Sequence, residues 1–377
     1  MPTADALDRL HPEQRVLCLG ARTTLDEPAR HRLASTVDVG LDWERLWALG
    51  HLHEVIPLLG GSLPDALGDR VPAAWLERAR KRKYVTLSSN ARLADTLVAV
   101  LSGLEAAGVG AMPVKGLVIA EQLYGSLSLR PAADLDVLVR PDDLPAARTV
   151  LRGIGFAQRE TPGFKALTHE FHDPAWGIGS GRDHIRLELH WALWADSERR
   201  LGTAGLWDRS VPATLLEHPV RVLSLEDTLL HLAIHRTRSA LRLRWVVDIA
   251  ELLRRRGDDI DWDAYLARAR TAGARTSSWV VLTLARDLLG APLPDAVADE
   301  LRVRQPKRAV LARTCGIGPL LHQPLDGDLS QQPHLTLRSF EEDGPVRIAR
   351  VLGAGVIRPV REALHDAGIV RARRRMA

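Results

Sequence analysis

Apolar residues recur at three- and four-residue spacing through the first hundred positions, the repeat of a helix with one buried stripe. Trp43, Leu46, Trp47 and Leu49 form one such run ahead of Gly50, and Leu93, Leu97, Val100, Leu101 and Leu104 form another ahead of Gly108. Gly60, Gly61 and Pro64 punctuate the stretch, because both residue types disfavour helix interiors. A helical layer is expected from Asp5 to Ala107. Near Gly108 the period changes. Short apolar runs bounded by glycine and proline follow, Met112 to Val114, Val137 to Val139 and His184 to Trp191, which read as strands. Helical spacing returns from Leu144 to Gly153, behind the Pro141-Asp142 start signal. Beyond Ser224 the chain reads as helical again, with Ser224 as N-cap and Glu226 and Asp227 in the first turn. A second helix carrying Trp245, Val246, Ile249, Leu252 and Leu253 ends in Arg254-Arg255-Arg256-Gly257, a basic last turn and a glycine stop. Gly290 stops a later helix, and Pro292 and Pro294 lead into the next. The expected class is α+β: a helical region over 1–108, a small mixed-sheet core over 109–220, a helical region over 221–322, then a loop and basic tail over 323–377. There is no internal repeat.

Composition narrows this little. At 377 residues, with 46% hydrophobic and 26% charged positions, the chain has the make-up of a folded protein large enough for two or three cores. The net charge of +4 is small for this length. The dense basic cluster expected to matter is Arg371 to Arg375, which reads as a solvated tail, so the charge balance by itself does not indicate nucleic-acid binding. Cys18 and Cys315 supply neither a disulfide framework nor a cysteine metal site. The polar start MPTADALDRLHPEQ has no signal-peptide pattern, and the most apolar segment, Leu97 to Val114, carries Glu105 and three glycines and is too short to span a bilayer. A cytoplasmic protein without a membrane span is expected.

The chemistry concentrates between Met112 and Val139. In a strand, residues two apart share a face, so Asp134 and Asp136 project together while Leu135, Val137 and Val139 point into a core. Adjacent carboxylates repel unless a positive charge sits between them, and a hard divalent cation is the usual partner. Glu188, in the alternating segment His184 to Trp191, shares its face with Arg186 and His190 and joins the aspartates if the two strands are neighbours. Three carboxylates so placed suit one or two Mg²⁺ (or Mn²⁺) ions, which can bind a nucleoside triphosphate and neutralise a departing pyrophosphate. Gly116 lets backbone approach an anion, the following helix start offers free N–H groups, and Lys115 and Arg130 offer positive charge to phosphate. Arg130 alternatively holds an aspartate in place, and Glu188 alternatively pairs with Arg186 or Arg130. His190 reads as an orienting or core histidine.

His231 and His235 stand at i and i+4, a zinc-compatible spacing, but Leu232 follows His231 and the metalloprotease motif fails. His169 and His172 fail it too. The expectation is that His231, His235 and Arg244 line or pack against a nucleotide cleft, with His190.

The Lys115-Gly116 turn, a helix ending in Tyr124, Arg130, Asp134-x-Asp136, a hydrophobic strand and the later Glu188-Leu-His-Trp191 together resemble the uncharacterised nucleotidyltransferase family of the polymerase-β superfamily. The resemblance continues through Leu229 to His235 and Leu243 to Ile249. It implies that the 109–220 core is a nucleotidyltransferase fold, that Asp134, Asp136 and Glu188 hold Mg²⁺, and that the Lys115-Gly116 turn holds the triphosphate. Glu188 would complete the metal site or serve as general base. The implied activity is transfer of a nucleoside monophosphate from an NTP to an acceptor, which could be a protein, an RNA or a small molecule. Two departures stand out: superfamily turns are usually Gly-Ser or Gly-Gly, whereas Leu117 follows Gly116 here, and the Gly125-Ser126 pair falls at the helix end. Two rival readings use the same fold, a non-catalytic binding or scaffold protein and a γ-phosphotransferase.

Overall fold

The computed structural model describes residues 7–158, 175–193, 202–238, 242–305 and 307–321. The His169/His172 pair and the 323–377 tail lie outside them. The chain is mixed α+β and divides into two compact units that do not follow one another along the sequence. One unit comprises the described parts of Met1–Val55, Ser62–Val71 and Leu229–Ala377, and the other comprises Ile56–Gly61 and Pro72–Thr228.

The first unit is helical. Helices Pro12–Gly20, Glu27–Asp38 and Trp43–Leu52 come from the front of the chain, and Leu243–Arg256, Trp262–Thr271, Arg275–Leu289 and Asp295–Leu301 from its back. Long-range side-chain bonds join the two groups: Arg22 donates to the Leu289 carbonyl at 3.0 Å and Gln14 to the Leu321 carbonyl at 2.9 Å. Ser224 caps its helix as expected, its Oγ accepting the Asp227 N–H.

The second unit holds the sheet. Its strands are β1 (Ala111–Val114), β2 (Leu135–Val139), β3 (Ala157–Gln158), β4 (Trp176–Ile178) and β5 (Ile185–His190), in the order β1-β2-β5-β4-β3. β2 runs antiparallel to β1 and parallel to β5. Leu135, Val137 and Val139 share a core with Leu187 and Leu189, with Leu93, Leu97, Val100, Leu101 and Leu104 of the helix Ala73–Ala106, and with Ala147 and Leu151 of the helix Leu144–Ile154. One sheet face is thereby sealed, and the other carries the polar residues of β2 and β5. A separate hairpin pairs β6 (Val211–Leu215) with β7 (His218–Val222).

Two expectations fail here, and two further features went unread. Gly60, Gly61 and Pro64 do not break the chain; all three lie inside the helix Ile56–Leu67. A Cβ on Gly60 would stand 3.0 Å from the Ala79 Cβ, so close packing against the long helix explains a glycine at that point. Gly50 is likewise no stop, because Trp43–Leu52 runs through it. The β6-β7 hairpin carries no turn signal: its two-residue corner is Leu216-Glu217, both at positive φ, where glycine or asparagine is normal. Glu121 compensates by accepting the Leu216 N–H with both carboxylate oxygens, at 3.0 and 3.2 Å. The charge reading also missed a cluster: Arg78, Arg80, Lys81, Arg82 and Lys83 form a dense basic run on the helix Ala73–Ala106.

Candidate active site

β1 delivers the chain to the site. Val114 pairs with Asp136 in the ladder, so Lys115, one residue on, leaves the sheet at the level of that aspartate. The backbone then turns sharply, with Lys115 at φ 55° and Gly116 at φ 35°. A lysine in that region is strained, and strain of this kind persists only where surroundings impose it. The helix Gly116–Gln122 follows at once. The lysine ammonium lies 2.9 Å from Asp136 Oδ1, with only 11% of the side chain exposed.

Parallel pairing of β2 with β5 sets Asp136 opposite Glu188 and Leu138 opposite His190. The two acids and His190 therefore meet on the polar face of the sheet. His190 Nε2 donates to Asp136 Oδ1 at 2.9 Å and lies 3.5 Å from Glu188 Oε2. Arg186, two residues before Glu188 and on the same face, pairs with its carboxylate. Asp134 stands just before β2, and the space beside Gly116 is bounded by the Asp134 carbonyl, 3.5 Å from where a Cβ would sit. Turn and acidic strand thus touch through backbone.

Burial makes the charges interact strongly. Asp134 is pushed up to about 6, first by burial and then by the neighbouring Asp136 charge, with Lys115 opposing. Burial would also raise Asp136, but the Lys115 ammonium and the His190 hydrogen bond outweigh it and hold the carboxyl well below its usual range. Glu188 likewise overcomes burial through its His190 bond and sits at about 2. Lys115 and His190 are raised in turn: burial disfavours their charged forms, and the surrounding carboxylates reverse that. Asp136 and Glu188 are thereby held ionised beside the Lys115 ammonium.

The donor set fits a divalent cation. Among the described residues, Asp136, Glu188 and His190 form the one group whose ligand atoms all lie within 4.8 Å of one another. Asp134 falls outside that group and is tied to it by charge. Two carboxylates suit a hard ion such as Mg²⁺, and the imidazole extends the range toward Mn²⁺. His190 was legible in sequence as sharing the Glu188 face; its direct bond to Asp136 depends on the strand register and was not.

Arg130 is spent on the protein. It is 3% exposed, and its guanidinium donates to the Gly116 carbonyl at 3.2 Å and the Pro131 carbonyl at 3.4 Å. It clamps the Lys115-Gly116 turn from behind. His231, His235 and Arg244 belong to the first unit rather than to the acid cluster. His231 and His235 stack with ring centroids 5.9 Å apart, His235 meets Trp245 edge-on at 4.8 Å, and Arg244 pairs with Glu54 at 2.7 Å while covering the Trp245 ring.

Comparison with known proteins agrees with this geometry. No curated protein and no solved structure matches the chain. The sequence profile described as "Uncharacterised nucleotidyltransferase" matches residues 40–290, a span that includes the turn, both acidic strands and the following helices. With well over half its length matched, the chain belongs to this uncharacterised nucleotidyltransferase family.

Proposed function

We propose that the protein transfers a nucleoside monophosphate from an NTP to an acceptor, with a divalent cation held by Asp134, Asp136 and Glu188. The observation that carries this reading is the register of β2 against β5, which sets Asp136 beside Glu188 and leaves their charges facing Lys115. Unlike charges on a solvated surface, these acids are drawn together at the cost of desolvation, an arrangement expected where a cation is to be bound. When bound, Mg²⁺ or Mn²⁺ would neutralise charge developing on the departing pyrophosphate.

The chain's own residues position the reaction. Asp136 and Glu188 stay ionised and are fixed from the side by His190. Lys115, whose ammonium lies beside Asp136 Oδ1, would offer its charge to the triphosphate, and Arg130 holds the turn that carries it. The acceptor oxygen forms a bond to the α-phosphorus while the bond from that phosphorus to pyrophosphate breaks, and the acceptor proton is lost to a base. The same geometry also suits a non-catalytic reading, since Lys115 and His190 both reach Asp136 Oδ1 from within the protein.

Labelling of acceptors from [α-³²P]NTP separates these. The wild type is expected to label, and Asp136→Asn to lose about a hundredfold or more of that activity, since even residues that merely orient metal ligands are worth up to that factor. Equal labelling by both removes the mechanism. Absence of Mg²⁺-dependent NTP binding in calorimetry would point to a scaffold, and release of NDP with a phosphorylated acceptor to a γ-phosphotransferase.

A further inference from the structure

The helix Ala73–Ala106 is buried along one face, at Trp75, Ala79, Thr86, Asn90, Leu93 and beyond. Its opposite face is unusual through the first half. Arg80, Lys81, Tyr84 and Ser88 are exposed there, spaced three and four residues apart and so stacked on consecutive turns. Lys83 and Leu87 flank the row. Tyr84 is 71% exposed, Val85 57% and Leu87 40%, which puts three of the chain's large exposed apolar side chains in one turn. Lys81 has an exposed partner in Glu77 at 3.4 Å, but no carboxylate among the described residues pairs with Arg80, Arg82 or Lys83.

The same helix is fastened to the acid cluster. Asn90 is fully buried; its amide donates to the Leu127 carbonyl at 2.7 Å and the Arg130 carbonyl at 2.8 Å, and its oxygen accepts the Ala132 N–H at 3.0 Å. Those residues form the loop that carries Arg130 and leads into Asp134. Arg80 lies ten positions up the helix from Asn90, on the order of 15 Å along its axis at the usual rise. The exposed row and the acid cluster thus belong to one unit, joined through this loop.

We propose that this face docks single-stranded nucleic acid, and that a nucleic-acid end is the acceptor presented to the acid cluster. The second half rests on the transferase reading above. The exposed Arg80 and Lys81 supply the sequence-independent attraction for phosphates, and the exposed tyrosine one turn on supplies a stacking platform for an unpaired base. Other occupants fit less well. A second copy of the chain would bring like charge against like, and the Arg371–Arg375 tail is itself basic. A membrane-seated helix needs an unbroken apolar face with cations at its margins; here Arg80 and Lys81 share the face with Tyr84. In the transfer step a terminal 3′ oxygen would bond to the α-phosphorus of the NTP, its proton passing to solvent as pyrophosphate departs.

Fluorescence anisotropy tests the docking. Labelled single-stranded RNA and single-stranded DNA of one sequence are titrated against the full chain, alongside duplex DNA and phosphatidylserine vesicles. Wild type should bind the single strands, with affinity falling steeply between about 50 and 200 mM salt. The double reversal Arg80→Glu/Lys81→Glu should weaken binding about tenfold or more. Tyr84→Ala should weaken it about fivefold or more and Tyr84→Phe should not, because the ring rather than the hydroxyl stacks. No single-strand binding, binding untouched by the reversal, or a preference for vesicles lost through the same variants would each overturn the proposal. Mn²⁺-dependent NTP binding is measured on every variant and should be unchanged. If NTP binds and the docked strand is not extended, the acceptor assignment falls and the docking stands; if no variant or wild type binds NTP, it is the transferase reading that falls.

Discussion

Lys115 concentrates two costs in one residue: a backbone conformation that side chains avoid and a charge drawn into a nearly enclosed site. Removing one partner of a buried ion pair leaves the other uncompensated, so Lys115→Met should lower the stability of metal-free protein by about 3 kcal/mol in urea unfolding. Lys115→Gly loses the same charge but accepts the positive φ, and should be milder by about 1 kcal/mol. If the two variants are equally unstable, the turn holds no strain. Asp134 stands just before β2 and outside the ligand group, whereas the sharing of one β5 face by Glu188 and His190 could be read from the sequence by alternation alone. Arg130 could not. Its position four residues before Asp134 suits a phosphate ligand and a structural clamp equally, and only its burial against the Gly116 carbonyl shows where the guanidinium is spent.

Among elements, the long helix and the two acidic strands were legible from periodicity, and the failures share a cause. Leu216-Glu217 turns without glycine because Glu121, far away in sequence, supports the corner; Pro64 and the paired glycines sit within a helix because packing overrides propensity. Local sequence carries neither fact. Asn90 shows the same dependence on distant partners. Replacing it with alanine strands two buried carbonyls and an N–H, so Asn90→Ala should cost about 2–4 kcal/mol. Amide exchange should also quicken at Ala132 relative to β2. An unchanged exchange rate at Ala132 would mean the loop does not depend on this helix.

For the whole molecule, one compact unit is built from both the front and the back of the chain. His53 records this closure. It is fully buried, and its Nδ1 accepts the Leu243 N–H at 3.1 Å. Burial, helped by Arg242, lowers its pKa from 6.5 to about 4. The unfolded chain therefore takes up a proton that the folded one resists, and stability should be complete above about pH 6.5 and decline as pH falls toward 4, by at most about 3 kcal/mol. Unfolding of wild type and His53→Asn at pH 7.5 and 4.5 checks it. The asparagine keeps an acceptor for Leu243 without titrating, so its stability should fall less; an equal fall in both would assign the pH response elsewhere. The parallel ladder of β2 and β5 has a consequence in time as well as space. Asp136 and His190 are 54 residues apart in sequence, so no short fragment and no half-emerged nascent chain can present the full set of ligands. An ion with affinity for the finished arrangement alone would add its binding energy to that state and to none before it, rewarding completion of the domain instead of guiding its early steps.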